Sequence, residues 1–441
     1  MSESERRRRQ IALWIWGLLA VALAAWLLVS ALPTILAVLQ KHPDDGVIDW
    51  QGARLFLEGK NPYSPAGLKS IGFERTGFGH PPTTPFWFIP LAHLELSMAG
   101  QVVGHVVMLL LLINLLVILD ELRAPLPRVN AFLLFAAVIA TPWMESHFQA
   151  GQISELIAFA YVMCWYFLRR GQDVPAGALL GVACTLKLFP GIMVLFLLAT
   201  RRWRTVAAAA ITWLAVAAVM TSRYGAACWL QFFAMQKGIS DRWAAQIQNG
   251  SLQGIVLRWF TPGCVAPGPT RVDATLITIA IAALLLFVTW RLVRRSARER
   301  GAVDVPFAMF AVLSMFLNPW VWEHYNVLLI LPLLIAAAAL WRARRDLPRP
   351  LVGIAALALA GVVALLTLRC SIPHFIALQR EYHFQGEKPW AHLRMHLLEI
   401  GNWAPSVLLL LVLGALAFFV ERRRPGAIDR VSFDEPTRAG S

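Results

Sequence analysis

An aspartate near the start of the chain stands where a carboxylate could do chemistry. Asp49 opens the polar segment 49–63, shortly after the first long apolar stretch. Gly59 predicts the end of a short helix there, because glycine is the usual residue just past a helix C-terminus. A carboxylate held just outside a bilayer can deprotonate a hydroxyl that is presented from the aqueous side. Asp49 is therefore the predicted general base.

The composition indicates an all-α polytopic membrane protein. The 441 residues are 58% hydrophobic and 15% charged, whereas soluble domains have about 25% charged residues. Apolar stretches of about 17–25 residues recur, long enough to cross a hydrocarbon core of roughly 30 Å. We predict spans near residues 11–39, 97–119, 129–144, 152–169, 205–221, 272–293, 304–317, 323–341, 351–368 and 403–420. Lys187 and Pro190 interrupt a further apolar segment, 174–199.

The net charge of +14 reflects topology rather than a nucleic-acid partner. Arginine clusters abut the ends of the apolar stretches, as the positive-inside rule expects of cytoplasmic loops. The clusters lie at residues 6–9, 169–170, 201–204, 291–300, 342–345 and 422–424. If all lie on one side, both termini are cytoplasmic and segment 174–199 makes an even number of passes, as two short helices or a re-entrant hairpin. About twelve membrane segments follow.

This topology places several longer polar segments on the opposite, outer face. They are residues 40–96, 143–151, 222–271 and 369–402, with the short turn 318–324 beside them. Long loops of this kind are often functional. Residues 1–424 are predicted to form one integral membrane domain whose catalytic loop is 40–96. The polar tail 425–441 is predicted to be a disordered cytoplasmic segment.

Ionisable residues at membrane depth are the next group that could take part in chemistry. A lysine inside an apolar segment costs several kcal/mol unless it faces a cavity or a partner. Lys187 is such a residue, and Pro190 leaves backbone groups free nearby, which is tolerated where a helix lines a cavity. Lys187 is either a lysine that snorkels at a helix end or a counter-charge for a phosphate. Asp120, Glu121 and Asp304 are expected to be solvated in cytoplasmic loops.

Aromatic residues flank the polar segments, and two interpretations of them stay open. They form the usual aromatic belts at the membrane interfaces, or several of them line a groove whose aromatic faces suit sugar rings. The residues are Trp50, Tyr63, Trp87, Trp143, Trp243, Trp259, Trp320, Trp322 and Tyr325. The five cysteines lack the spacing of metal ligands. No metal or other cofactor is predicted.

Six short motifs, in order along the chain, together resemble one enzyme family. They are Asp49-Trp50 with Asn61-Pro62-Tyr63, Pro81-Pro82 through Pro90-Leu91-Ala92, Gly151-Gln152-Ile153-Ser154, Ala176-Gly177 through Gly181 to Lys187 and Pro190, Asn249-Gly250-Ser251-Leu252 with Arg258, and Pro319 with Trp322-Glu323-His324. The pattern resembles the family-87 glycosyltransferases, GT-C-type enzymes that use polyprenyl-phosphate sugars. Mycobacterial α-1,2-mannosyltransferases and arabinofuranosyltransferases belong to this family. The sequence departs from the pattern at Ser154, where asparagine is usual, and at His80, where an aromatic residue is common.

The resemblance implies a fold and a reaction. The fold is a GT-C-type bundle of about twelve membrane segments with helical outer, periplasmic loops. The reaction is inverting transfer of a hexose or pentose, with mannose as first choice, from a polyprenyl-phosphate donor to a glycan or glycolipid acceptor at the outer face of the inner (plasma) membrane. Asp49 is then the general base, while Lys187, Arg258 and His324 bind the donor phosphate. The expected substrate-binding residues are Trp50, Tyr63, Gln152, Asn249, Trp322 and Glu323.

A second class of function stays open, namely a multi-span transporter or flippase for precursors of envelope polysaccharide. Transporters usually contain repeated halves with matching broken helices. The break at 187–190 has no counterpart elsewhere in this sequence, and the long outer loops suit an enzyme better. A flippase or a structural scaffold should tolerate the loss of Asp49, which an enzyme should not.

Overall fold

A computed structural model gives the chain as an all-α protein. The structure describes residues 46–72, 78–260, 272–298, 303–367 and 389–423, together with isolated positions before residue 26, and these ranges contain no strand. The predicted first span, 11–39, and the predicted tail, 425–441, lie outside these continuous ranges. Cys264 and Cys370 also lie outside them.

Six described helices are long and apolar enough to cross a membrane. They are Leu96–Glu121, Trp203–Tyr224, Val272–Arg295, Glu323–Ala343, Arg349–Thr367 and Glu399–Phe419. Their positions confirm six of the predicted spans, and the chain is a multi-pass membrane protein. The total of about twelve membrane segments stays a prediction.

Three other predicted spans form shorter helices than the roughly 20 residues that a crossing requires. These are Pro127–Ile139, Ser154–Arg169 and Asp304–Phe316. The predicted span 129–144 ends early because the residue before a proline is driven to extended backbone. Thr141 has φ −79° and ψ 145°, and a new helix, Pro142–Ala150, begins after it.

The predicted outer segments contain helices of their own, as expected. They are Gly46–Leu57, Pro65–Ser70, the 3₁₀ helix Thr84–His93, Ala227–Trp243, Leu252–Phe260 and the first part of the long helix Pro389–Arg423. The helix that bears Asp49 ends at Leu57, two residues before the predicted end, and Gly59 adopts φ +69°. The 3₁₀ helix Glu323–Leu329 leads into helix Ile330–Ala343.

The interrupted segment 174–199 folds as a hairpin. Helix Asp173–Leu186 ends at Lys187, whose backbone is extended with φ −151° and ψ 152°. A 3₁₀ turn then leads into helix Met193–Ala199. At the far ends of these helices, Arg202 Nη1 lies 3.0 Å from Asp173 Oδ1. The two ends of the segment therefore lie together, and the break at Lys187 is the tip of the hairpin.

Two glycines allow the first arm of this hairpin to pack tightly against helix Trp203–Tyr224. A Cβ atom at Gly177 would lie 2.2 Å from the carbonyl oxygen of Thr205, and one at Gly181 would lie 2.6 Å from Thr212 Cβ. Small residues one turn apart let helix backbones approach closely in membranes. Gly177 and Gly181 are therefore packing residues.

An ion-pair cluster joins three helices at the end of the bundle opposite the hairpin tip. Arg169 Nη1 lies 2.6 Å from Asp304 Oδ2, and Arg170 Nη2 lies 2.6 Å from Glu121 Oε1. The expectation that Glu121 and Asp304 are solvated is wrong. Asp304 is buried, and a carboxylate withdrawn from water needs a charged partner to offset its desolvation. Asp120 is exposed, as expected.

Candidate active site

A large cavity opens at the hairpin tip. Its volume is about 1070 Å³, at the upper end of the roughly 300–1,000 Å³ of small-molecule sites. Its wall comes from residues 79–81, 187–192 and 317–325, with side chains from helix Ala227–Trp243. Three segments that are far apart in sequence therefore meet at one site.

Hydrogen bonds from the 3₁₀ helix and the residue before it fix the hairpin tip. The last carbonyl groups of a helix lack partners within the helix. Here Thr83 Oγ1 donates to the carbonyl oxygen of Thr185 at 2.7 Å, and Thr84 Oγ1 donates to that of Leu186 at 2.8 Å. These bonds tie the segment that bears His80 to the helix end that bears Lys187.

A continuous chain of polar contacts runs from Asp49 to Lys187 through His80. Both carboxylate oxygens of Asp49 lie 2.8 Å from His80 Nδ1, and His80 Nε2 lies 3.1 Å from Lys187 Nζ. Tyr63 holds the backbone of His80, because the Tyr63 hydroxyl donates to the carbonyl oxygen of His80 at 2.7 Å. Asp49 is only 1% exposed and lies behind His80, which lines the cavity. The direct exposure to water that the sequence suggested for this carboxylate is not found.

Lys187 presents to the cavity a positive charge that no carboxylate of the described residues neutralises. Its Nζ lies 5.2 Å from the centroid of the Tyr325 ring, and the ion pairs of the described residues do not include it. An ammonium group in a mainly apolar wall is costly without an anion. The cavity is therefore suited to a ligand with a negatively charged group.

His324, Glu323 and His147 form a buried polar group next to Lys187. Glu323 accepts a hydrogen bond from Ser146 Oγ at 2.8 Å, and the rings of His147 and His324 are 6.4 Å apart. His147 lies on helix Pro142–Ala150, outside the membrane-spanning helices, and burial lowers its pKa to about 4. It is therefore neutral at ordinary pH. Glu323 and His324 line the cavity.

The structure does not bring Arg258 to the cavity wall. Its Nε lies 2.7 Å from Glu399 Oε1, and its Nη1 donates to the carbonyl oxygens of Gln246 and Asn249 at 2.7 and 2.9 Å. The side chain is buried, and these contacts use Nε and Nη1, whereas Nη2 has no hydrogen-bond partner among the described residues. Arg258 therefore anchors a loop to the last helix and does not line the cavity with Lys187 and His324, the other residues predicted to bind the donor phosphate.

Asn249 is likewise a structural residue in this arrangement. Its side-chain nitrogen donates to the carbonyl oxygens of Ala244 and Pro319 at 2.9 and 2.8 Å. Its side-chain oxygen accepts from the backbone nitrogens of Ser251 and Val321 at 3.1 and 2.9 Å. All of its side-chain hydrogen-bonding groups are used within the fold, so Asn249 joins two loops behind the cavity and is not among the residues that line it.

The predicted aromatic residues divide between the cavity and the packing behind it. Trp322 lines the cavity, and its ring packs edge-on against Trp243 with centroids 6.0 Å apart. Trp50 donates from Nε1 to the carbonyl oxygen of Leu91 at 3.1 Å and does not line the cavity. Tyr63 is buried in an apolar cluster. Gln152 lines the cavity.

His80 is the site residue that the sequence analysis did not identify. It was noted only as a departure from a family pattern, although it lies between Asp49 and Lys187. One signal could have pointed to a residue of this kind, because a carboxylate such as Asp49 needs a hydrogen-bonding partner when it is buried. The sequence contains 10 histidines, and spacing alone does not select the one that meets Asp49.

Comparison with known proteins decides the family. The model of glycosyltransferase family 87 matches residues 78–315, more than half of the chain. The chain belongs to glycosyltransferase family 87. The resemblance inferred from the six motifs is thereby confirmed, and this family-87 protein is a membrane glycosyltransferase.

Curated relatives come from mycobacteria. A polyprenol-phosphate-mannose-dependent α-(1-2)-phosphatidylinositol mannoside mannosyltransferase of Mycobacterium tuberculosis is 28% identical over 81% of this chain and 82% of its own. A protein of the same name from Mycolicibacterium smegmatis is 26% identical over 67% of this chain and 69% of its own. A polyprenol-phosphate-mannose-dependent α-(1-2)-phosphatidylinositol pentamannoside mannosyltransferase from that organism is 28% identical over 57% of this chain and 59% of its own. No solved structure matches the chain.

Proposed function

We propose that this family-87 protein transfers mannose from polyprenyl-phosphate-mannose to a glycolipid acceptor. The observation that supports this most directly is the ammonium of Lys187 on the wall of the large cavity, which forms no ion pair within the described ranges. A lipid-linked phosphate supplies the missing negative charge at that point. The names of the curated relatives support the choice of mannose and of a polyprenyl-phosphate donor.

The reaction is a single in-line displacement with inversion. The acceptor oxygen forms a bond to the anomeric carbon while the bond from that carbon to the phosphate oxygen breaks. The electron pair leaves with the polyprenyl phosphate, and the acceptor proton passes to the pair formed by Asp49 and His80. Such proton transfer contributes about 10²–10⁴-fold. Because the acceptor oxygen attacks the anomeric carbon directly, the enzyme needs no nucleophile of its own.

The leaving phosphate is stabilised by groups that are already in place. Lys187 supplies the charge, and His324 lies beside it on the cavity wall. Preorganised charges and donors in a site that excludes water are often the largest contribution to catalysis. Phe189, Ile192 and Phe233 line the same cavity and offer apolar surface to the first isoprene units of the donor.

The sugar and the acceptor occupy the polar part of the cavity. Trp322 offers a flat aromatic face, which suits the apolar face of a pyranose ring, and Gln152 and Glu323 offer hydrogen-bonding groups next to it. The relatives act on phosphatidylinositol mannosides according to their names. A glycolipid with a mannosylated head group is therefore the proposed acceptor class.

The proposed site faces the outer side of the inner membrane, with both chain termini in the cytoplasm. The arginine-rich ion pairs lie at the start of helix Asp173–Leu186, and Lys187 follows its end. The 14 residues of this helix span about 21 Å at 1.5 Å per residue. The separation of the arginine clusters from the cavity supports this orientation, because such clusters favour the cytoplasmic side.

The test is transfer of radiolabel by the purified protein in nanodiscs. Label from polyprenyl-phosphate-mannose should appear in extracted mycobacterial glycolipids, and label from polyprenyl-phosphate-arabinofuranose should not. Transfer from the arabinose donor instead would change the sugar but keep the reaction. If neither donor gives transfer and the protein moves lipid-linked glycan across proteoliposome membranes, the result would indicate a flippase rather than a transferase.

A further inference from the structure

The burial of Asp49 raises the question of which group meets the acceptor hydroxyl. A general base must come within about 2.6–3.2 Å of the oxygen whose proton it removes. Asp49 is 1% exposed and does not line the cavity, whereas His80 lines it. An acceptor in the cavity therefore reaches the imidazole before it reaches the carboxylate.

The contacts of His80 also define its two nitrogen atoms. A carboxylate only accepts hydrogen bonds, so the hydrogen of the neutral imidazole lies on Nδ1, which faces both oxygens of Asp49 at 2.8 Å. Nε2 then has a free lone pair, and it faces Lys187 Nζ at 3.1 Å. This is the tautomer that a base requires, with its accepting nitrogen toward the cavity and its charge-stabilising partner behind it.

We propose that His80 is the catalytic residue that removes the acceptor proton and that Asp49 is a positioning residue that acts through it. This inference rests on the proposed transfer reaction. The acceptor O–H bond breaks as its proton moves to His80 Nε2, the acceptor oxygen bonds to the anomeric carbon, and the phosphate leaves with the electron pair of the broken bond. The imidazolium that forms is stabilised by the carboxylate of Asp49. The proton later leaves Nε2 to solvent.

The other ionisable groups on the cavity wall are less suited to this step. One carboxylate oxygen of Glu323 is already occupied, because it accepts a hydrogen bond from Ser146. His324 has no carboxylate partner among the ion pairs of the described residues, so nothing in those ranges stabilises its protonated form as Asp49 does for His80. Lys187 is a cation and cannot accept a proton.

The position of Lys187 links the base to the donor. Without substrate, its ammonium lies against the lone pair of His80 Nε2, where the acceptor hydroxyl must approach. An anionic phosphate in the cavity draws the ammonium toward itself, because a full negative charge is a stronger partner than a neutral imidazole. The base therefore becomes available once the donor is bound.

The test is a double-mutant cycle at His80 and Asp49 in the full-length protein in nanodiscs, with mannosyl transfer and donor affinity measured for each variant. His80→Ala and His80→Gln should lower kcat about 10²–10⁴-fold without weakening donor binding. Asp49→Asn should lower kcat in the wild-type background. Combined with His80→Ala, it should cause no further loss, because residues that act as a unit are not additive.

Added imidazole supplies a readout that a merely structural role would not affect. It should restore part of the kcat of His80→Ala, since that variant opens space on the cavity wall, and it should not change the rate of wild type or of His80→Gln. Near-normal kcat in His80→Gln, or a further large loss when Asp49→Asn is added to His80→Ala, would overturn the proposal and make Asp49 the direct base. An inactive wild type would instead overturn the proposed function, and this inference with it.

Discussion

Removing the ammonium of Lys187 should weaken binding of the polyprenyl-phosphate donor. Lys187 lines the cavity, contacts His80 and the ring of Tyr325, and forms no ion pair with a carboxylate of the described residues. A hydrogen bond between charged groups contributes about 1.5–3 kcal/mol. At 1.4 kcal/mol for each factor of ten, Lys187→Ala should raise the donor Kd by about 10- to 150-fold.

The assay is donor affinity in nanodiscs, measured for wild type and three variants. Lys187→Arg should retain part of the affinity, because it keeps the charge but replaces a compact ammonium by a broader planar group. Arg204→Ala removes an exposed charge at the opposite end of the hairpin and should leave the Kd unchanged. It is the matched control for a general effect of lost positive charge.

Two results would refute this reasoning. If Lys187→Ala binds the donor as tightly as wild type, the lysine serves only to pack against Tyr325 and His80, and the phosphate must be sought around His324. Donor binding that is lost equally in Arg204→Ala would also contradict it, because the effect would then follow net charge rather than position.

The sequence predicted the hairpin break well because the signals for it are local. Pro190 lacks a backbone N–H and cannot continue a helix, and Lys187 is a charged residue in an apolar stretch. The structure ends helix Asp173–Leu186 at that point. Helix breaks, apolar length and charge at membrane depth are all properties of a few consecutive residues, so a single sequence carries the signals for them.

The partners of polar residues were harder to predict, because they come from distant parts of the chain. Arg258 was expected to bind a phosphate, but Glu399 lies 2.7 Å from it. Asp49 was predicted to act on substrate directly, but His80 lies in between. In both cases the residue type and the motif did not reveal the partner. The role depends on which side chain the tertiary fold brings opposite, and no spacing in a single sequence specifies that.

Three further predictions concern topology and packing. Cysteines introduced at positions 65 and 203 should differ in intact cells: a membrane-impermeant thiol reagent should label position 65 only, and labelling at 203 would contradict the hairpin orientation. Gly177→Val should prevent folding or lower the melting temperature strongly, because its Cβ would lie 2.2 Å from the carbonyl oxygen of Thr205. The control Gly191→Ala has open space around it and should melt like wild type. Arg258→Met should destabilise the protein by about 3 kcal/mol in a melting assay, because it removes the buried partner of Glu399. The folded fraction should keep its donor Kd, and a raised Kd would return Arg258 to the phosphate site.

The hairpin tip explains why a costly arrangement is built at this place in the bundle. An extended residue and a proline in an apolar segment leave helix carbonyls without partners, and such backbone is tolerated at membrane depth only when it is buried in protein or lines a cavity. Thr83 and Thr84 satisfy those carbonyls, and the same segment bears His80. One set of hydrogen bonds thus stabilises the break and fixes the distance between the imidazole and the ammonium. Changes at Thr83 or Thr84 should therefore affect stability and turnover together, although neither residue lines the cavity.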